Sequence, residues 1–98
     1  MPMMDIDLPD GIFDESAERA LLAELTDVLL RWEGADPTNP RVRELAWIFV
    51  HRGGDVYVAG TPAVEPRYRV RVSVPQGQFD DERRAGMIAA VTESILNA

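Results

Sequence analysis

The chain has 98 residues, 46% of them hydrophobic, with a formal net charge of −7 and a pI near 4.5. That length suits one domain with a modest core, and the acidic balance argues against binding to a nucleic-acid backbone or an anionic membrane surface. With no cysteine and one histidine, the chain lacks the means for disulfides, thiolate metal sites or a cysteine nucleophile, and a zinc site is not expected. Its apolar runs fall far short of the roughly 20 residues of a membrane helix. The acidic N-terminus is unlike a signal peptide. A cytoplasmic protein without metal or cofactor is expected.

Met4, Ile6 and Leu8 alternate with Asp5 and Asp7, the two-residue period of a half-buried strand. Pro9-Asp10-Gly11 ends it. Asp14 suits a helix cap, and Leu21, Leu22, Leu25, Val28, Leu29 and Trp32 then form one helical stripe. The segment from Glu33 to Pro40 is rich in helix breakers. Leu45 to Val50 reads as an apolar strand of a length that suits burial on both faces. Arg52-Gly53-Gly54-Asp55 is a turn signal, and Val56-Tyr57-Val58 a short strand leading to Ala59-Gly60. Thr61 to Pro66 reads as a linker. Tyr68, Val70, Val72 and Val74 then alternate with Arg67, Arg69, Arg71 and Ser73, Pro75-Gln76-Gly77 turns the chain, and Asp80 caps a second helix with Ile88, Val91 and Ile95 on one face.

The second half repeats the first with an offset of 66 residues. Pro9/Pro75, Gly11/Gly77, Phe13/Phe79, Asp14/Asp80, Ala23/Ala89, Thr26/Thr92 and Leu30/Leu96 are identical pairs. Such internal periodicity defines a structural unit. The reading is one α/β (α+β) domain over residues 1–98, with a β-α-β-hairpin unit over 1–60, a linker over 61–66 and a β-α unit over 67–98 that lacks a closing strand. The expected core is a mixed sheet of about four strands with two helices packed on one face. The first helix is long enough to cross over between parallel strands. A sheet edge without its covalent partner invites pairing with another chain, so an oligomer is expected.

Several features together resemble the tautomerase superfamily, the group of 4-oxalocrotonate tautomerase, macrophage migration inhibitory factor and the chloroacrylic acid dehalogenases. They are Met1-Pro2 opening the first strand, Pro-x-Gly before a capped helix, a tandem β-α-β unit, and Asp55-Val56-Tyr57-Val58-Ala59-Gly60 after the second strand. The resemblance implies removal of Met1 and a proline amine at position 2 whose pKa is lowered by an apolar pocket. Such an amine acts as general base in keto–enol proton transfer, with arginines holding the substrate carboxylate. It also implies a homotrimer with sites near subunit interfaces.

Carried onto this chain, Pro2 matches the catalytic proline, and its counterpart in the second copy is Tyr68. The family's usual arginine positions fall on Ile12 and near Ala46. The paired arginines of the cis-type dehalogenase fall near Pro75 and Gln78, and its helix histidine near Leu29. None of these residues matches. The candidate anion-binding groups are therefore Arg71 and Arg69 on the second repeat's strand, then His51. The expected function is a tautomerase-like isomerase acting on a small anionic keto or enol substrate. The alternatives are a non-catalytic member of the fold, serving in oligomerisation or ligand binding, and a dehalogenase or decarboxylase relative. Trp32, Trp47 and Tyr57 read as core or subunit contacts, and Asp5 and Asp7 as solvent- or partner-facing.

Overall fold

The computed structural model describes residues 3–73 and 80–98. In chain order it contains β1 (Met3–Leu8), α1 (Glu15–Glu33), α2 (Pro40–Arg43), β2 (Trp47–Arg52), β3 (Tyr57–Val58), β4 (Thr61–Pro62), β5 (Arg69–Ser73) and α3 (Asp81–Leu96). The main sheet has the order β2-β1-β5, and β3 and β4 form a separate two-stranded ribbon. The architecture is α+β, with a small mixed sheet and helices.

The crossover through α1 makes β2 parallel to β1, as the helix length required. On its other side β1 pairs antiparallel with β5. Side chains alternate across a strand, and β1 uses this fully. Met4, Ile6 and Leu8 are buried on one face, while Met3, Asp5 and Asp7 point to the other.

Helices α1 and α3 cover the first face. The core joins Met4, Ile6 and Leu8 to Leu21, Leu25 and Leu29 of α1 and to Met87 and Val91 of α3. Burial of each such side chain stabilises the fold by about 1.5–3 kcal/mol.

The repeat is preserved in three dimensions. Asp14 caps α1 by accepting a hydrogen bond from the Ala17 amide at 2.7 Å, and Asp80 caps α3 from the Arg83 amide at the same distance. Leu21, Leu25 and Leu29 of α1 correspond to Met87, Val91 and Ile95 of α3, and all six belong to the core or pack on it. Thr26 and Thr92 each donate their hydroxyl to the carbonyl one turn back, of Leu22 and Ile88 respectively.

The structure corrects the sequence reading in four places. The segment after α1 contains the short helix α2, capped by Asn39 with Pro40 in its first turn, and the chain then turns through Leu45 and Ala46, whose amides donate to the carbonyls of Val42 and Arg43. The strand therefore starts at Trp47 and takes in His51 and Arg52. It is also not buried on both faces. Ile48 and Val50 are half-buried under the helices, but Trp47 is 51% and Phe49 45% exposed, because none of the described residues covers the other side of the sheet there.

Third, Val58 does not lead into an unstructured linker. Ala59 and Gly60 both take positive φ, 53° and 81°, and turn β3 onto β4, the backbone that tight hairpins favour. Fourth, the main sheet has three strands among the described residues rather than about four.

The helix pair is fitted closely at Gly86. A Cβ there would lie 2.2 Å from the tip of the Trp32 ring. Alanine would gain about 1 kcal/mol in helix propensity, but displacing a packed indole costs about 1–3 kcal/mol. Gly86→Ala is therefore expected to lower the unfolding free energy measured by urea denaturation. An unchanged or higher stability would show that the two helices approach less closely.

Candidate functional site

The uncovered face of the main sheet carries the charged candidates. β1 presents Met3, Asp5 and Asp7; β2 presents Trp47, Phe49 and His51; β5 presents Arg69, Arg71 and Ser73. The parity of each strand puts its polar residues here, because the opposite parity is committed to the core. Register then sets the neighbours. Asp7 lies between His51 and Arg69, Asp5 between Phe49 and Arg71, and Met3 between Trp47 and Ser73.

A central acidic strand thus runs between basic groups on both sides. The Asp7 carboxylate accepts a hydrogen bond from Arg69 Nε at 2.8 Å. His51 Nε2 lies 3.2 Å from Asp5 Oδ1. The Arg69 hydrogen bond and charge, with smaller help from the charges of His51 and Arg71, hold the Asp7 carboxyl below the usual carboxylate range. On the helix side, Arg52 closes β2 onto α1 with two hydrogen bonds to Glu18, from Nε at 3.0 Å and Nη2 at 2.5 Å. This pair lowers the Glu18 pKa and raises that of Arg52.

The sheet face has two chemically different ends. At the Met3 end, Trp47 and Phe49 pack edge to face with ring centroids 6.3 Å apart, and the Trp47 indole donates to the Glu44 carbonyl. This end is apolar, with Arg71 as its nearest cation on β5. At the Asp7 end, a cleft of about 360 Å³ is lined by Asp7, Gly53, Gly54, Arg67, Tyr68 and Arg69, among others. Four residue steps along the strand separate Met3 from Asp7, about 13 Å at the usual rise.

Pro2 lies outside the described residues, as do Pro75 and Gln78. Arg69, Arg71 and His51 share one face of one sheet, but at two levels along it. His51 and Arg69 flank Asp7, while Arg71 stands across from Asp5, one step nearer to Met3. Trp32 packs against the core, whereas Trp47 and Tyr57 are exposed.

The sequence reading passed over Asp5 and Asp7 as functional partners. The signal was present in the opposed alternations of Asp5-x-Asp7 and Arg69-x-Arg71. It becomes readable only with the antiparallel register that puts carboxylates opposite guanidinium groups. Among the described residues, no cluster of potential metal ligands occurs, and no helix is long and apolar enough to cross a membrane.

The fold has a counterpart among solved structures. The chain aligns with the crystal structure of native Ps01740 with a TM-score of 0.73 and 17% sequence identity, covering 93% of this chain and 75% of that one. No protein-family description matches the chain, and neither does any curated protein. The likeness defines this chain as an α+β protein of that fold.

The Asp7–Arg69 pair gives a prediction of definite sign. A carboxyl with a depressed pKa in the folded state adds stability above its unfolded pKa, and loses it as pH falls through the folded value. Arg69→Ala is expected to raise the Asp7 pKa toward the ordinary carboxylate value in a carboxyl-detected NMR titration. It should also remove part of the acid dependence of stability. A titration curve for Asp7 unmoved by the substitution would mean that the pair does not form in solution.

Proposed function

We propose that this protein is a tautomerase-like isomerase, a cytoplasmic homotrimer in which the amine of Pro2, freed by removal of Met1, is the general base. The observation that carries the reading is the position of β1. Pro2 immediately precedes Met3, and Met3 opens the central strand of the sheet between Trp47 and Ser73. The residue that follows the proposed base in sequence, Met3, thus lies beside Trp47 of the apolar Trp47–Phe49 pair. Apolar surroundings disfavour a charged amine and lower its pKa.

A small keto or enol carboxylate is the substrate this reading requires. The neutral amine takes a proton from the carbon beside the carbonyl, the electron pair moves to the carbonyl oxygen, and the proton returns to oxygen or carbon. Arg71 is the cation that fits this reading best, because it shares the open face and, across from Asp5, is by register the nearest of the three candidates to Met3. Its guanidinium holds the carboxylate or the developing enolate. Arg69 and His51 lie toward the other end and already face Asp7 and Asp5. They would serve such a substrate only across a subunit interface.

Turnover of phenylenolpyruvate or 2-hydroxymuconate tests this reading. Pro2→Ala is expected to lower kcat about 100-fold, the scale of one general base. Arg71→Ala should lower kcat/KM about 10- to 100-fold, the cost of a lost charged hydrogen bond, mostly through KM. Intact-mass analysis should show the chain without Met1. Retention of Met1, or equal turnover by wild type and Pro2→Ala, would overturn the reading.

One observation favours a second reading, a non-catalytic binding or oligomerisation module of the same fold. His51 and Arg69 pair with carboxylates of their own chain, and Arg71 stands across from Asp5, so the charge of the candidate cations is partly spent before any anion arrives. That reading predicts no turnover and no effect of Pro2→Ala on ligand affinity.

A further inference from the structure

Adding the repeat offset of 66 turns the Met3–Ser73 pair into Arg69–Asp7 and returns Asp5–Arg71 to itself. An approximate two-fold axis therefore passes between Asp5 and Arg71 and exchanges the two ends of the β1–β5 ladder. The Met3 end is the one the isomerase reading uses. The other end, at the head of β5, carries the cleft of about 360 Å³, and no step of that reading occupies it.

Four charged side chains line this cleft: Asp7, Arg69, Asp55 and Arg67. Asp7 and Arg69 satisfy each other. Asp55 and Arg67 do not meet, and among the described residues neither forms an ion pair or a side-chain hydrogen bond. The backbone fixes where both begin. Gly53 donates its amide to the Leu8 carbonyl at 3.1 Å, one residue beyond the end of β2. Gly53 and Gly54 then take φ of 84° and 86°, a course open to glycine at little cost, and Asp55 follows directly. Arg67 stands between Pro66, whose ring fixes its own φ, and Tyr68, which is half-buried and stacked on Phe13.

An unpaired cation and an unpaired anion in one small cleft complement a molecule that carries both charges close together. The volume is that of a small-molecule site. Val56 and Tyr68 give the cleft apolar wall. It runs on into a hollow of about 530 Å³ that adds Leu8, Pro9, Val64 and Pro66, with Glu65 as the one further charged residue. A ligand with one charge would leave either Arg67 or Asp55 unmatched.

We propose that this cleft binds a free α-amino acid with an aliphatic side chain. Its carboxylate lies on the Arg67 guanidinium, its ammonium group on the Asp55 carboxylate, and its side chain in the adjoining hollow. The Asp7–Arg69 pair, already matched, borders the site without favouring either sign. The inference is independent of the isomerase reading, since it concerns the other end of the ladder and no proton transfer.

Amide NMR of the full chain tests it with three probes: L-leucine, N-acetyl-L-leucine, which lacks the ammonium group, and L-leucinamide, which lacks the carboxylate. L-Leucine is expected to shift the amide signals of Gly54, Asp55, Arg67 and Tyr68 to saturation. Each analogue should bind about 10-fold more weakly, the scale of one charged hydrogen bond. Arg67→Ala should bring leucine down to the affinity of leucinamide, and Asp55→Asn to that of N-acetyl-leucine. Both residues are exposed, so the rest of the amide spectrum should persist in each variant. A failure of leucine to saturate these signals would overturn the proposal. So would an analogue that binds as tightly as leucine, which would make the cleft a site for a simple anion or cation, and so would a leucine affinity that either substitution leaves unchanged.

Discussion

Among the described residues, β1 is the one strand of the main sheet with a neighbour on each side, and the parity of its side chains divides the molecule. Met4, Ile6 and Leu8 must meet the helices, because they hold most of the sheet's share of the core. Asp5 and Asp7 are then forced onto the opposite face. Carboxylates two residues apart on a central strand repel one another, and the neighbouring strands answer with His51 on one side and Arg69 and Arg71 on the other. The charge pattern of the open face thus follows from the demands of the buried one.

The same division separates two kinds of surface. The Met3 end is apolar and aromatic, with one guanidinium near it. The Asp7 end is a polar cleft whose charges already compensate each other. Chemistry that needs a neutral amine and a single anion-binding group fits the first end better than the second. The paired charges at the second end are better suited to fixing the register of the three strands, since a slip of one residue would send Asp7 into the core and leave Arg69 unpaired.

Much of this was legible in the sequence because it depends on local pattern. The alternation of β1 and β5, the caps at Asp14 and Asp80, the crossover through α1 and the repeat of its apolar stripe in α3 are all set by spacing within a few turns of chain. What escaped was set by neighbours. Pro40 reads as a breaker, but at the first turn of a helix its missing N–H costs nothing, so α2 was hidden and β2 was placed two residues early at its start. Leu45 to Val50 looked fit for burial on both faces, yet Trp47 and Phe49 lie on a side of the sheet that no described element covers. The hairpin turned at Ala59-Gly60 instead of Gly53-Gly54, although all three glycines take positive φ. The Asp–Arg ladder required the antiparallel order of β5 beside β1, which no single segment specifies.

The proposed function rests on a Pro2 amine that is uncharged at neutral pH. Titration of that amine by ¹⁵N NMR on proline-labelled protein tests it most directly. The account predicts a single Pro2 amine titrating clearly below the ordinary α-amino range of about 7.7–8.0. An amine titrating within that range, or a Pro2 nitrogen that does not titrate because it is still an amide of Met1, would contradict it.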